Sequence, residues 1–221
     1  MTAYLGFFPS ESLKNDIQTL LANVDRRASE PQFHLANHIA AQMTDEIIDN
    51  LLLNMVTNMG SGESSKMINF LGAFLKKTMH VMLKMMLGKA DNAEIAKRAV
   101  YIRARFLTLP NDQPRLGFAL PHDLYDEFQK HFAAVDNGQG QEHIEAIVNA
   151  MMRFSDLSLE YYYDEFIATL NLGMILRKTT QVTRSTLHKE LHSVLPKMVR
   201  HLKNEELKHL ADYIRKMLVE R

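Results

Sequence analysis

Glycine and proline, the residues that most strongly interrupt regular structure, are scarce in this chain. Its 221 residues include 9 glycines and 6 prolines. Long stretches carry apolar residues three and four positions apart, which places them on one face of an α-helix. Leu13, Ile17, Leu20, Leu21 and Val24 are one example. The sequence therefore predicts an all-α protein, a bundle of roughly eight amphipathic helices around a common core.

The same periodicity predicts the other helices. Val100 to Leu107 alternates locally between apolar and Arg residues, as a strand would, but the longer helical register is favoured there. Residues 30–59 form either one helix or two, because Thr44 and the two acids after it would suit a new helix start. Asp91 or Asn92 is predicted to cap the helix that follows it, and Asn204 to cap the last helix. The remaining helices are expected near 67–87, 122–135, 141–154, 157–172, 181–194 and 205–219.

A proline-rich segment is the one candidate boundary within the chain. Residues 108–121 hold three prolines and one glycine, which is typical of a linker. A chain of this length is within the range of one generous domain or two small ones. We expect a single compact all-α domain over 1–221, with a joint at 108–121. The alternative is a subdivision of the chain into 1–107 and 122–221.

The balanced charge of the chain conceals four blocks of alternating sign. Residues 1–65 carry 3 basic and 8 acidic side chains, and 66–110 carry 9 and 2. Residues 111–174 carry 3 and 11, and 175–221 carry 11 and 5. Either basic helices pair with acidic helices inside the bundle, or the two basic blocks lie side by side and attract an anionic partner. Because the total charge is zero, no nucleic-acid partner is expected.

Missing residue types and motifs exclude several kinds of chemistry. The chain has no Cys, so disulfides, thiolate metal sites and a Cys nucleophile are excluded, and any metal must be held by His and carboxylates. No nucleophile elbow, dinucleotide fingerprint or EF-hand loop occurs. The sequence therefore identifies no cofactor. The missing catalytic motifs favour a non-enzymatic protein. Because no secretory signal is readable, a cytoplasmic location is the default expectation.

The most hydrophobic stretch, residues 67–87, is rich in methionine. Eight of the 14 methionines lie between residues 43 and 86. Flexible thioethers fill irregular core gaps or line adaptable pockets, so the cluster predicts either core or a pocket for a hydrophobic ligand. Three lysines in the stretch disfavour a bilayer-crossing helix, and a membrane-surface role is not favoured. The pocket candidates are Met55, Met59, Phe74, Met79, Met82 and Met86.

Two histidine pairs have the spacing that places both imidazoles on one helix face. They are His34 with His38 and His188 with His192. This spacing is typical of helical metal sites, but neither pair has the glutamate that follows the first His in zinc proteases. Each pair is half of a metal site, and carboxylates from residues 111–174 would have to complete it.

Cations and hydroxyls are combined between residues 177 and 186. Placed before the helix expected from residue 181, they could hold an anion at its amide-rich start. Two further lysines lie on the polar stripe of the methionine-rich helix. The candidate anion-binding residues are Lys77, Lys84, Arg177, Lys178 and Arg184.

The sequence favours binding over catalysis. Our leading interpretation is a regulatory or binding protein that acts through helix–helix contacts, with another protein or with a second copy as a homodimer. One alternative is a helical pocket for a hydrophobic small molecule. The other is a metal-binding helical protein built on His and carboxylate ligands.

Overall fold

The computed structural model of the protein describes residues 2–57, 62–108 and 113–220, and most of them are helical. The prediction of an all-α, bundle-like fold is confirmed. The helices are α1 (Glu11–Asp25), α2 (Phe33–Leu51), α3 (Glu63–Met86), α4 (Asn92–Arg105), α5 (His122–Asp136), α6 (Ile144–Leu159), α7 (Glu165–Ala168), α8 (Met174–Arg200) and α9 (Asn204–Met217). A 3-10 turn (Leu53–Val56) follows α2, and a π-helical segment (Glu160–Asp164) connects α6 to α7.

A small antiparallel sheet, which the sequence analysis did not predict, joins distant parts of the chain. Its strands are β1 (Ala3–Phe7), β2 (Phe106–Leu107), β3 (Arg115–Leu120) and β4 (Leu218–Glu220), in the order β2-β3-β1-β4. Strand β3 lies within the segment interpreted as a linker. Residues 5–7 and 116–118 are buried in succession, because both faces of the sheet are covered. Such strands lack polar alternation.

Several helix boundaries agree with the sequence analysis. The Asp91 carboxylate accepts the Glu94 amide at 2.8 Å and caps α4 as predicted. Helix α2 is a single helix up to Leu51, and Thr44 lies inside it, where its hydroxyl donates to a backbone carbonyl. The last helix starts one residue earlier than predicted, since Lys203 is the capping position and its amide donates to the Glu206 carboxylate.

The C-terminal half differs more from the expected pattern. The helices expected at 141–154 and 157–172 form one continuous run up to residue 168, interrupted by the π-helical turn. A π turn contains one extra residue, so it rotates the apolar stripe and disturbs the 3.6-residue period. Helix α8 begins at Met174, seven residues before the predicted start at 181, and continues past Pro196 to Arg200.

Four helices form the centre of the molecule, in the spatial order α2, α3, α8, α6. Helix α3 packs against α2 and α8, and α8 packs against α6. The Ser64 hydroxyl donates to the Met198 carbonyl at 3.4 Å, so the start of α3 lies beside the end of α8 and the two helices are antiparallel. Helices α1 and α4 cover α2, and helices α5 and α9 pack together beside α6.

Ion pairs connect the charge blocks of opposite sign, as the first interpretation of the charge pattern requires. The two basic blocks also lie side by side, because α3 packs against α8. Within the ranges that the structure describes, the pairs between acidic and basic blocks include Lys76–Asp49, Arg103–Asp25, Arg184–Asp164, Arg200–Glu145 and Arg215–Asp136, with N···O distances of 2.6 to 3.1 Å.

Strands β1 and β3 approach so closely at Gly117 that only glycine fits. A Cβ atom there would overlap the Leu5 carbonyl and lie 2.7 Å from the Gly6 Cα. We expect Gly117→Ala to lower the free energy of unfolding by about 1–3 kcal/mol, the usual cost of overpacking. Gly88→Ala is the control, because a Cβ at 88 meets nothing within 4 Å. Urea denaturation followed by circular dichroism measures both, and equal stabilities would contradict the β1–β3 register.

Candidate ligand cavity and histidine cluster

An apolar cavity of ≈ 120 Å³ lies among the four central helices. Engineered cavities of about 150 Å³ with similar aliphatic walls stay dry and bind benzene. At about four fifths of that volume, this space is comparable in size to a cavity that holds one small apolar molecule. Its walls consist of Thr44, Ile47, Ile48, Leu51, Leu52, Leu75, Met79, Met151, Phe154, Ser155, Ser158, Leu159, Tyr162, Tyr163, Leu187, Leu191 and Leu195.

Two serines of α6 help to leave this space open. Ser155 and Ser158 occupy wall positions where α6 otherwise presents large apolar residues. Their hydroxyls donate to backbone carbonyls of the same helix, at 2.8 and 2.9 Å. Both hydroxyls are thereby hydrogen-bonded within α6. The short side chains extend little into the space between α6 and the other helices.

The three consecutive tyrosines of the π-helical segment make different contacts. The Tyr161 ring stacks on Phe118 of the sheet with the centroids 4.7 Å apart. Tyr162 lines the cavity. The Tyr163 hydroxyl donates to the Thr180 carbonyl of α8 at 2.7 Å. This local departure from the α-helix thus anchors the sheet, one end of the cavity and α8.

The hydroxyl of Tyr162 is a buried donor with no hydrogen-bond partner among the described residues. The residue is 8% exposed, and burial raises the pKa of its phenol far above the ordinary value, so the group stays protonated. Buried polar groups are nearly always hydrogen-bonded. Tyr162, a residue of the cavity wall, therefore carries an unused donor.

A recess of ≈ 20 Å³ adjoins the cavity and shares Thr44, Met79 and Tyr162 with it. Arg98 of α4 lines this recess and is 7% exposed. Its Nη1 donates to the Asn37 side chain at 3.2 Å, whereas its Nε has no partner in the described part of the chain. Burial lowers the pKa of Arg98, but a guanidinium stays charged at neutral pH. Arg98 and Tyr162, which both line the recess, therefore carry one unused donor each, and Arg98 also carries a positive charge.

The methionine-rich cluster contributes little to this cavity. Met79 lines both spaces. Met55, Met82 and Met86 are buried core residues that line neither of them, and Phe74 is half-buried against the core. Met59 lies outside the described residues. The cavity walls are mostly Leu and Ile, which the sequence analysis did not single out. In the sequence, the two serines on an apolar helix face were the available signal for the cavity.

His188, His192 and Asp156 meet at the contact between α6 and α8, beside the cavity. Asp156 Oδ1 lies 2.7 Å from His192 Nε2 and 3.3 Å from His188 Nε2. The two imidazoles stack with ring centroids 3.8 Å apart, and all three side chains are half-buried. The structure thus brings one predicted histidine pair together with a carboxylate from residues 111–174, the block expected to supply it.

The other histidine pair has no comparable surroundings. The His34 ring packs on Phe33 with centroids 4.0 Å apart. His38 Nε2 lies 3.6 Å from an Asp16 carboxylate oxygen. Among the described residues, this pair belongs to no group of three side chains that could hold a metal.

The candidate anion-binding residues fall into two groups. Arg177 and Arg184 line a separate cavity of ≈ 330 Å³ beside α7, where Arg184 pairs with Asp164 at 3.1 Å. Since α8 begins at Met174, these residues lie inside the helix, and the argument from a helix start does not apply to them. The others, Lys77, Lys84 and Lys178, are exposed on α3 and α8.

No known protein-family model matches this chain, and no curated protein or solved structure is significantly similar to it. Within the ranges that the structure describes, no helix is both long and apolar enough to cross a membrane. Function has to be inferred from the cavity and the histidine cluster themselves.

Tyr162, whose hydroxyl is unpaired, and Tyr163, whose hydroxyl is hydrogen-bonded, offer a matched pair of substitutions. Tyr162→Phe removes an unpaired hydroxyl, so we expect the free energy of unfolding to stay within about 0.5 kcal/mol or to rise. Tyr163→Phe removes a hydrogen bond to a backbone carbonyl and should lower it by about 1 kcal/mol. Urea titration measures both, and an equal loss would show that the Tyr162 hydroxyl has a partner.

Proposed function

We propose that this chain binds a small apolar molecule that ends in a carboxylate or carbonyl group. The unpaired hydroxyl of Tyr162, a residue that lines an apolar cavity, carries this proposal. Ligand pockets are typically apolar, with a few polar groups that fix the orientation of the ligand. An acceptor oxygen on the ligand would satisfy the phenol, while its hydrocarbon part would fill the space between α2, α3, α6 and α8.

A carboxylate is favoured over a neutral carbonyl because Arg98 lines the adjoining recess. Its unpaired Nε could donate a second hydrogen bond, and such bonds between charged groups are about twice as strong as neutral ones. Among the residues that the structure describes, no carboxylate or imidazole lines the cavity or the recess. That composition supports binding without bond-breaking chemistry.

Half-buried residues of the wall would give a ligand access to the cavity. Thr44, Ile47 and Met79 are partly exposed and line both the cavity and the recess. Met79 has a flexible, unbranched side chain that can change rotamer at low cost. It would serve as the movable part of the wall, which gives one predicted pocket residue a specific role.

Binding to hexanoate, hexanal and hexane, measured by calorimetry, tests the proposal. We expect affinity to decrease in that order. Tyr162→Phe should weaken hexanoate binding about tenfold, the equivalent of one lost hydrogen bond of about 1.4 kcal/mol, and leave hexane binding unchanged. Tyr213→Phe is the control, because its hydroxyl donates to Asn50 and it lines neither space. Ser158→Leu should fill the cavity and abolish binding of all three.

Two results would contradict this function. One is a wild-type protein that binds none of the three probes saturably. The other is a Ser158→Leu protein that remains folded by circular dichroism and still binds hexanoate as the wild type does.

A second candidate function is docking of an acidic helix from a partner protein on α3 and α8. Ion pairs turn one flank of each helix inward: Lys76 faces Asp49 of α2, and His192 faces Asp156 of α6. Since successive residues turn by about 100°, the exposed apolar residues of α3 lie about 120–180° around that helix from Lys76, and those of α8 lie about 80–100° around that helix from His192. They are Phe70, Val81 and Met85 of α3 with Ile175 and Val182 of α8.

The positive charge of this face determines which kind of partner it favours. Among the described residues, no carboxylate lies within ion-pair distance of the exposed lysines that flank the apolar strip. A second copy of the chain would bring the same positive charge, so this face favours an acidic partner over a homodimer. These lysines are Lys66, Lys77, Lys84, Lys178 and Lys189.

An acidic amphipathic peptide is the probe for this second candidate. We expect saturable binding by fluorescence anisotropy that weakens as salt is raised, because the attraction is between exposed charges. The double variant Lys77→Glu with Lys178→Glu should lose binding at least about tenfold. The double variant Lys208→Glu with Lys216→Glu on α9 is the charge-matched control. Salt-independent binding, or equal loss in the control, would exclude this face as the docking site.

A further inference from the structure

We propose that Asp156, His188 and His192 bind one divalent transition-metal ion of the zinc type, at the contact between α6 and α8. Each residue supplies one donor atom, and the three donors lie within 4.8 Å of one another. The site is separate from the apolar cavity, and its occupancy does not depend on the proposed ligand. It goes beyond that function by assigning the chain an inorganic partner.

One donor–donor distance already suits a tetrahedral ion, and a second is shorter than the ion requires. Zinc bonds of about 2.0–2.2 Å to nitrogen and oxygen place the donors about 3.4 Å apart. His188 Nε2 is already 3.3 Å from Asp156 Oδ1. His192 Nε2 is at 2.7 Å, a hydrogen-bond distance that must widen by only about 0.7 Å for an ion to replace the proton.

The helix register holds both imidazoles in place. Leu187 and Leu191, each immediately before one of the histidines, are buried in the cavity wall. Their burial fixes the rotation of α8, so both rings are held on the flank that faces α6. The same carboxylate oxygen approaches both imidazoles, which is the arrangement an ion shared by the three groups requires.

The donor set defines the class of metal. Imidazole nitrogens suit zinc, nickel, copper and iron, whereas all-oxygen sites suit magnesium and calcium. The chain has no thiolate to offer. Three protein ligands leave one position of a tetrahedral ion open. The three side chains are half-buried, so a water molecule can reach that position.

Titration of the full-length chain with Zn²⁺ and Co²⁺ tests the site. We expect one ion per chain by elemental analysis, the absorption bands of tetrahedral Co²⁺, and a higher melting temperature with Zn²⁺. Affinity should fall as the pH is lowered, because imidazole must be deprotonated to bind metal. Asp156→Asn, His188→Ala and His192→Ala should each weaken binding at least about tenfold.

Internal controls separate this site from adventitious histidine binding. His34 and His38 have the same spacing without a third ligand, so the double variant His34→Ala with His38→Ala should bind as the wild type does. His192→Gln preserves a hydrogen-bonding side chain if the alanine variant proves unstable. Tyr162→Phe should leave metal binding unchanged, which distinguishes failure of the cavity from failure of this site.

The proposal is overturned by any of three results. The first is no stoichiometric Zn²⁺ or Co²⁺ binding by the wild type. The second is a loss of binding in the His34/His38 variant equal to that in His188→Ala. The third is wild-type affinity in a folded protein that carries both Asp156→Asn and His192→Gln.

Discussion

Burial of one apolar stripe of α8 between α3 and α6 is the interaction on which the rest of the structure depends. Leu187, Leu191, Leu195 and Met198 recur three and four positions apart and are all buried, and each contributes about 1.5–3 kcal/mol of hydrophobic stabilisation. The stripe fixes the rotation of a 27-residue helix. One flank then holds the imidazoles toward α6, and the other borders the exposed apolar and cationic face shared with α3.

Local sequence patterns predicted the helices well because each buries a single stripe. Leu13, Ile17 and Leu20 of α1 are fully buried, as their spacing indicates. The sheet was missed for a physical reason: Leu116 and Phe118 are buried together with the glycine between them, so no polar alternation marks the strand. Pairing partners more than 100 residues apart supply that burial, and a local pattern contains no information about them.

The site was predictable only in part. The spacing of His188 and His192 indicated that both imidazoles share a helix face, and the charge blocks indicated which part of the chain could supply a carboxylate. Asp156 could be identified only once α6 lay against α8. The cavity was harder still, since it depends on how far apart four helices pack, and methionine content indicated flexible side chains and not empty space. The unpaired hydroxyl of Tyr162 results from a π turn that no sequence rule identified.

Strand β4 pairs with β1 through Ala3 and Glu220, the most distant contact of the sheet along the chain. The conformational entropy lost on closing a loop grows with the logarithm of its length, and contacts of large sequence separation form slowly. The pairing becomes favourable when the helices have already brought both segments together. Amide hydrogen exchange at this edge of the sheet therefore reports on assembly of the whole chain, whereas exchange within α8 reports on the helical core.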